Sequence, residues 1–218
     1  MNKEQVRAQI ERIGLVPVIR AASAAEARFA AEAVCQGGIP IVEITMTVPG
    51  ALEVISELVQ AIPQVLVGAG TVLNQTMARK CADAGAQFLV SPGLDIPTVA
   101  EANQLGLLIM AGALTPTEVM AAWAAGADFV KLFPCGYLGG ANYLKALRGP
   151  LPQVPFVPTG GVTLETAGDY ILAGAAALGV GGELIVRDAL KARKPEIISG
   201  LAATFVELVK DARIRLAA

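Results

Sequence analysis

The 218-residue sequence contains no histidine. Whatever chemistry the chain performs must manage its protons, its nucleophile and any metal without imidazole, the side chain most often used for those tasks. Charge is also scarce, at 17% of residues against the roughly 25% of an average soluble domain, while 54% are hydrophobic. So uncharged a surface predicts that part of it is covered by other subunits. The net charge of −2 provides no broad positive field, and there is no arginine-rich stripe interleaved with aromatics, so nucleic acid is not the expected partner. Three cysteines, Cys35, Cys81 and Cys135, lie far apart without paired spacing or a histidine to complete a metal site. They read as small buried hydrophobes, and Cys135 would be a reactive thiol only if something other than histidine activated it. Residues 58–78 carry no charge, but Pro63, two glycines, Asn74 and Gln75 interrupt them, which argues against a membrane span. The start, Met1-Asn2-Lys3-Glu4-Gln5-Val6-Arg7, reads as an amphipathic helix and not a signal peptide, so a soluble cytoplasmic protein is expected.

What the chain does have is alternation. Short apolar runs recur about every two dozen residues: 15–19, 39–44, 65–67, 87–90, 107–110, 129–132, 154–157 and 176–180. Between them lie Ala/Glu/Leu-rich segments of helical spacing at 24–36, 50–62, 75–84, 98–105, 117–124 and 164–172, several ending at a glycine. Gly-Ala recurs before strands at Gly85-Ala86, Gly126-Ala127 and Gly174-Ala175, an internal repeat of a βα unit. Eight continuously apolar strands alternating with helices predict a parallel sheet closed on itself. The expected fold is α/β, a (β/α)8 TIM barrel with an extra N-terminal helix, in one domain spanning 1–218.

In such barrels the chemistry sits at the C-terminal ends of the strands. There this sequence places Arg20, Glu43 with Thr45 and Thr47, Gly70-Thr71, Ser91-Pro92-Gly93, Gly112 through Thr115, Lys131 with Phe133-Pro134, Thr159-Gly160-Gly161 and Gly181-Gly182-Glu183. Lys131 stands out, a lysine inside the apolar run Phe129-Val130-Lys131-Leu132-Phe133-Pro134. A buried ammonium is costly unless paired or neutral, and a neutral amine is a nucleophile suited to carbonyl carbon. A lysine at a strand end can also snorkel its charge to solvent. Glu43, in Ile41-Val42-Glu43-Ile44-Thr45, is a carboxylate in an equally apolar strand, and a barrel interior would hold it near Lys131. The two could form a simple ion pair, but buried pairs add little net stability. A lysine nucleophile with a carboxylate acid/base is the minimum set for making and breaking imines.

Thr71 and Thr159 each follow a strand and stand beside glycine, in Gly68-Ala69-Gly70-Thr71 and Pro158-Thr159-Gly160-Gly161. Such glycines let backbone N–H groups approach an anion, although turn glycines and helix-capping threonines would look the same. A second pair, in Gly179-Val180-Gly181-Gly182, follows strand eight, where these barrels commonly bind phosphate.

Taken in order, Val42-Glu43-Ile44-Thr45, Gly68-Ala69-Gly70-Thr71-Val72, Val90-Ser91-Pro92-Gly93, Leu114-Thr115-Pro116-Thr117-Glu118, Val130-Lys131-Leu132-Phe133-Pro134 and Pro158-Thr159-Gly160-Gly161-Val162 resemble the class I aldolases of the family that includes 2-keto-3-deoxy-6-phosphogluconate (KDPG) and 4-hydroxy-2-oxoglutarate (KHG) aldolases. The likeness runs over nearly the whole chain. It implies a homotrimeric barrel that cleaves a 4-hydroxy-2-oxo acid to pyruvate and an aldehyde without a metal or other cofactor. On this resemblance Lys131 is the Schiff-base lysine and Glu43 the general acid/base acting through a water. Thr71, Pro92, Phe133 and Thr159 then form the pyruvate pocket, and Gly160, Gly161, Gly181 and Gly182 the phosphate cradle.

Two positions depart from the pattern. Many members carry an arginine shortly after the glutamate, where this chain has Thr47, which brings no cation; Arg20 is the candidate replacement for holding a carboxylate. Glu183 stands where a serine often meets phosphate, and a carboxylate pointing inward would repel it. At a helix start Glu183 could instead turn away to complement the dipole. The expected reaction is therefore aldol cleavage of a phosphorylated substrate, KDPG first, giving pyruvate and glyceraldehyde 3-phosphate. Unphosphorylated 4-hydroxy-2-oxoglutarate, or decarboxylation of oxaloacetate through the same imine, is the alternative. A non-catalytic sugar-acid sensor or an assembly scaffold would have no use for Lys131 beside Glu43.

Overall fold

A computed structural model describes residues 1–217. Eight parallel strands, β1 (Leu15–Ile19), β2 (Ile41–Thr45), β3 (Leu66–Gly70), β4 (Phe88–Val90), β5 (Leu108–Ala113), β6 (Phe129–Leu132), β7 (Phe156–Pro158) and β8 (Leu178–Val180), pair in sequence order, and β8 returns to pair with β1. Between β7 and β8 the barrel is closed by a parallel bridge from Thr159 to Gly179 and by the Ala176 N–H donating to the Phe156 carbonyl at 2.9 Å. This is the (β/α)8 barrel expected from the alternation. Every residue of every strand is buried, the signature of a sheet covered on both faces.

The helices alternate with the strands: α1 (Lys3–Ile13), α2 (Ala24–Gln36), α3 (Ala51–Ala61), α4 (Gln75–Asp83), α5 (Ile96–Gln104), α6 (Pro116–Ala124), α7 (Gly140–Arg148), α8 (Ala167–Leu172), α9 (Arg187–Lys191) and α10 (Pro195–Ala217). Their starts follow capping chemistry. Ser23, Asn74 and Asp95 each accept the backbone N–H three residues on, and Thr115 with Glu118 completes a capping box behind Pro116. Gly85, Gly126 and Gly174 end α4, α6 and α8 with φ of 95°, 92° and 91°, a left-handed conformation in which a side chain would be strained. The Gly-Ala repeat is thus a repeated helix stop.

Helix α1 lies across the N-terminal ends of the strands and seals the barrel opposite the site. Its Arg7 guanidinium sits 5.3 Å over the Phe129 ring, Lys3 pairs with Asp128 at 3.0 Å, and Gln9 donates to the Pro40 carbonyl at 3.2 Å. The last helix, α10, packs on α2 and α8, and its Arg213 donates to the carbonyls of Glu11 and Arg12 at the end of α1. No helix among the described residues is long and apolar enough to cross a membrane.

The structure differs from the sequence pattern in four respects. Strands β2, β3 and β5 run past their apolar stretches because Thr45, Gly70 and Ala113 still pair with a neighbour. Strand β7 begins at Phe156, since Pro155 has no N–H to pair, although its carbonyl accepts from Val130. The pattern assigned no helix to α7, α9 or α10. Residues 182–184 form a turn in which Leu184 and Ile185 donate to the Gly181 carbonyl, and α9 begins only at Arg187, so Glu183 does not occupy a helix start.

Candidate active site

Glu43 and Lys131 come from opposite sides of the barrel, β2 and β6, and meet inside it. Lys131 Nζ lies 3.9 Å from Glu43 Oε1, and the side chains are 3% and 2% exposed. At that separation they attract without sharing a hydrogen bond. Glu43 Oε1 has no hydrogen-bond partner among the protein groups described. Burial pushes the Glu43 carboxyl above its ordinary range, and the positive charges of Lys131 and Arg20 oppose that rise. A carboxyl held this way is poised to accept a proton. Lys131 Nζ also lies 5.3 Å from the centre of the Phe133 ring.

Glycines make room for this pair. A Cβ on Gly70 would overlap the Glu43 carboxylate, and one on Gly112, the register partner of Lys131, would overlap the backbone of Pro92 and Gly93. The loop after β4 therefore folds directly over the strand beside the lysine, tied there by Gly112 N–H donating to Ser91 Oγ at 3.2 Å. Thr71, next to Gly70, has φ of 59°, which is an outlier for a β-branched residue. Such strain clusters at sites where geometry is held for a purpose.

Thr159 is buried and donates to the Val157 carbonyl at 3.3 Å, in the space left by the missing side chain of Gly179. With Phe133, Gly160, Gly161, Gly181, Gly182, Glu183 and Arg20 it lines a cavity of about 190 Å³ at the β7–β8 seam. Val18, Val162 and Thr163 line the same cavity and were not singled out by sequence. Val18 lies two residues before Arg20 on one strand face, a spacing that could have exposed it.

Other expected residues are placed differently. Thr47 is exposed, its hydroxyl 2.8 Å from that of Thr45, which in turn donates to the Ile19 carbonyl. Arg20, at the end of the neighbouring strand β1, stands beside the glycines after β8, where a Cβ on Gly181 would lie 3.9 Å from its guanidinium. Cys135 is buried, its thiol 3.5 Å from the Gly140 carbonyl, and burial raises its pKa, so it is no thiolate.

A model of KDPG and KHG aldolase matches residues 6–201. The chain belongs to the KDPG and KHG aldolase family. It is 36% identical over 197 residues to the KHG/KDPG aldolase of Escherichia coli K12, covering 90% of this chain and 92% of that protein. It is 37% identical over 200 residues to the 2-dehydro-3-deoxy-phosphogluconate aldolase of Zymomonas mobilis, covering 91% and 90%. Among solved structures, the Legionella pneumophila KDPG aldolase with pyruvate captured as a covalent carbinolamine superposes with a TM-score of 0.86 at 30% identity, covering 92% of this chain and 98% of that one. The Zymomonas mobilis KDPG aldolase with 3-phosphoglycerate gives 0.82 at 32%, covering 94% and 96%. Like its aldolase relatives, the chain is a carbon–carbon lyase.

Proposed function

We propose that this aldolase works through a Schiff base on Lys131 and cleaves 4-hydroxy-2-oxo acids to pyruvate and an aldehyde. The observation that carries the reading is the meeting of Lys131 and Glu43 at 3.9 Å inside an otherwise apolar barrel, with the carboxylate oxygen unbonded. A stabilising ion pair would close to hydrogen-bond distance; a nucleophile and its proton shuttle need space between them for a substrate. The captured carbinolamine in the Legionella relative supports the same chemistry.

The Lys131 amine adds to the C2 carbonyl, and loss of water gives the iminium. Glu43, through a bridging water, takes the proton of the C4 hydroxyl as the C3–C4 bond breaks and its electrons pass to the iminium. The enamine is then protonated at C3, and hydrolysis frees pyruvate and the lysine. Thr71 and Pro92, at the ends of β3 and β4, hold the pyruvate carboxylate side, while Phe133 and Thr159 wall the reacting carbons. The aldehyde half leads out along Gly160, Gly161, Gly181 and Gly182. The leading substrate is KDPG, since the Zymomonas relative was seen with a phosphorylated acid. Glu183, lining the same cavity, is the observation that favours 4-hydroxy-2-oxoglutarate instead.

Exposed Leu73, Ile96, Met120, Tyr137 and Leu138 sit in consecutive sectors of the barrel, and we assign them to the interface of a homotrimer, to be checked by light scattering.

Incubation with pyruvate and borohydride should leave a reduced adduct on Lys131, found by peptide mass spectrometry, and Lys131→Arg should abolish both adduct and turnover. A turning-over Lys131→Arg enzyme would sink the mechanism, because a guanidinium cannot serve as the imine nitrogen. A pyruvate-release assay across phosphorylated and unphosphorylated 4-hydroxy-2-oxo acids identifies the substrate.

A further inference from the structure

A separate cavity of about 500 Å³ lies between α7, α8 and the turn after β6. Gly161 borders both this space and the cavity at the β7–β8 seam, so at that point only its backbone divides them. The turn after β6 is locked to that divider: the Gly136 N–H donates to the Gly160 carbonyl at 2.8 Å, and a Cβ on Gly136 would come within 2.8 Å of Gly161 Cα. The aldol chemistry uses no side chain of this second space. Its volume falls within the about 300–1,000 Å³ of ligand-sized sites.

One wall is the start of α7. Gly139 and Gly140 lead into the helix with φ of 103° and 60°, no side chain caps it, and the N–H groups of Gly140 and Ala141 have no acceptor among the described residues. Free N–H groups at the positive end of a helix favour an anion. Tyr170 points to the same spot independently. It is 1% exposed and lines the cavity, and a Cβ on Gly140 would lie 3.3 Å from its hydroxyl. That hydroxyl has no oxygen or nitrogen partner among the described residues; beside it is the Cys135 thiol, a weak partner whose own proton goes to the Gly140 carbonyl at 3.5 Å. A buried hydroxyl so poorly matched is costly, and an anion at the helix start would satisfy it.

Charge narrows the ligand further. Lys145, one turn beyond Ala141 on the same face of α7, brings a cation, and Asp169 on α8 brings a carboxylate. Neither is in an ion pair among the described residues. A bare phosphate would suit Lys145 but be repelled by Asp169, whereas a carboxylate with a hydrogen-bond donor on the next carbon suits both. Ala141, Leu172 and Ala173 leave an apolar remainder for a side chain.

We infer that this cavity is an effector site for a small α-amino or α-hydroxy acid with an apolar side chain. The carboxylate sits on the Gly140 and Ala141 N–H groups with the Tyr170 hydroxyl and Lys145, the ammonium or hydroxyl donates to Asp169, and the side chain lies against Leu172 and Ala173. Occupancy bears on the substrate cavity through Gly136 and Gly161. Binding stands apart from the aldolase reading, and only its influence on turnover rests on it.

Calorimetric titration of the intact protein with leucine, 2-hydroxy-4-methylpentanoate and 4-methylpentanoate tests the site, since the three share a carboxylate and side chain and differ in the donor. Leucine or the hydroxy acid should bind with a Kd below about 1 mM, the tighter of the two naming the donor, and the acid without a donor should bind at least about tenfold more weakly. Lys145→Gln/Asp169→Asn, at exposed positions, should weaken binding by about tenfold or more, as should Tyr170→Phe, while Lys210→Gln/Asp211→Asn, the same charge change on α10, should not. The acid should still bind when pyruvate is saturating, and it should shift KM for KDPG by about twofold or more with the shift levelling off, as an effector does and a competitor does not. No binding at about 10 mM, equal binding of 4-methylpentanoate, an affinity untouched by the double variant, or displacement by pyruvate would each overturn the site. A bound acid that leaves KM unchanged would overturn the effector role. If pyruvate forms no adduct on Lys131, the aldolase mechanism falls, and the titrations of wild type and variants still decide the cavity.

Discussion

Gly70 stands where any side chain would collide with the carboxylate of Glu43. The glycine on β3 and the glutamate on β2 are therefore a single device: the absence of one side chain sets where the other ends. Gly70→Ala should push the carboxylate off its position near Lys131. Overpacking of this kind destabilises by about 1–3 kcal/mol, and a misplaced catalytic group loses about 10² in rate. The expected outcome is a folded protein of lowered melting temperature that still captures pyruvate on Lys131 and turns over about a hundredfold more slowly. Wild-type turnover in Gly70→Ala would show that the carboxylate need not stand where Gly70 allows it.

Glu43→Gln separates proton transfer from pairing. If Glu43 is the shuttle, kcat should fall by about 10²–10⁴ while borohydride still traps pyruvate at Lys131. The pH behaviour follows from its raised pKa. The working form is the carboxylate, so wild-type kcat should fall as pH drops through a pKa above the ordinary carboxylate range, and that acid limb should vanish in the variant. The stability effect has the opposite sense. Because the folded protein binds this proton more tightly than the unfolded chain, the stabilisation is complete below the unfolded value of about 4.3 and is lost as pH rises through the folded pKa. The melting temperature of Glu43→Gln relative to wild type should therefore increase across that window. Normal kcat with a lowered melting temperature at every pH would mean a structural ion pair.

Much of this was legible from residues alone. The barrel followed from eight apolar runs and a recurring Gly-Ala, and the approach of Lys131 to Glu43 from two charges placed in otherwise apolar strands. What pattern could not give was proximity across the barrel and around its mouth. Thr47 and Arg20 both sit at strand ends, yet one is tied to Thr45 and exposed while the other faces the glycines after β8. Which way a side chain leans at a strand end depends on its neighbours in the closed sheet, and these are distant in sequence. The motif residues Leu114-Thr115-Pro116-Thr117-Glu118 proved to be a helix start, with Glu118 accepting from the N–H groups of Leu114 and Thr115.

Arg20 can be assigned by asking which end of the substrate it holds. From its place beside Gly181, Arg20→Ala should raise KM for acids with a distal anion and leave the concentration dependence of pyruvate trapping unchanged. Its positive charge also helps hold the Glu43 carboxyl down against burial, so its removal should move the acid limb of kcat to higher pH. Weaker trapping of pyruvate itself would put the guanidinium on the oxo-acid carboxylate, as the missing cation at Thr47 suggested.

Glu183 poses the sharpest question about specificity. It is exposed, lies in the turn after β8 and lines the cavity with Gly160, Gly161, Gly181 and Gly182. If those glycines grip a phosphate, the carboxylate is a near neighbour of a dianion, and Glu183→Ser should relieve the repulsion and add a hydroxyl donor. The gain would be large for KDPG and small for 4-hydroxy-2-oxoglutarate. If the Glu183 side chain instead turns away from the substrate, its charge is screened by solvent. On that view Glu183→Ser should change kcat/KM for KDPG by less than about tenfold, equivalent to about 1.4 kcal/mol of transition-state binding. A selective improvement well beyond tenfold would mean that the carboxylate points into the cavity. It would also make the wild-type protein an aldolase for the less highly charged acid, with Glu183 as the residue that turns phosphate away.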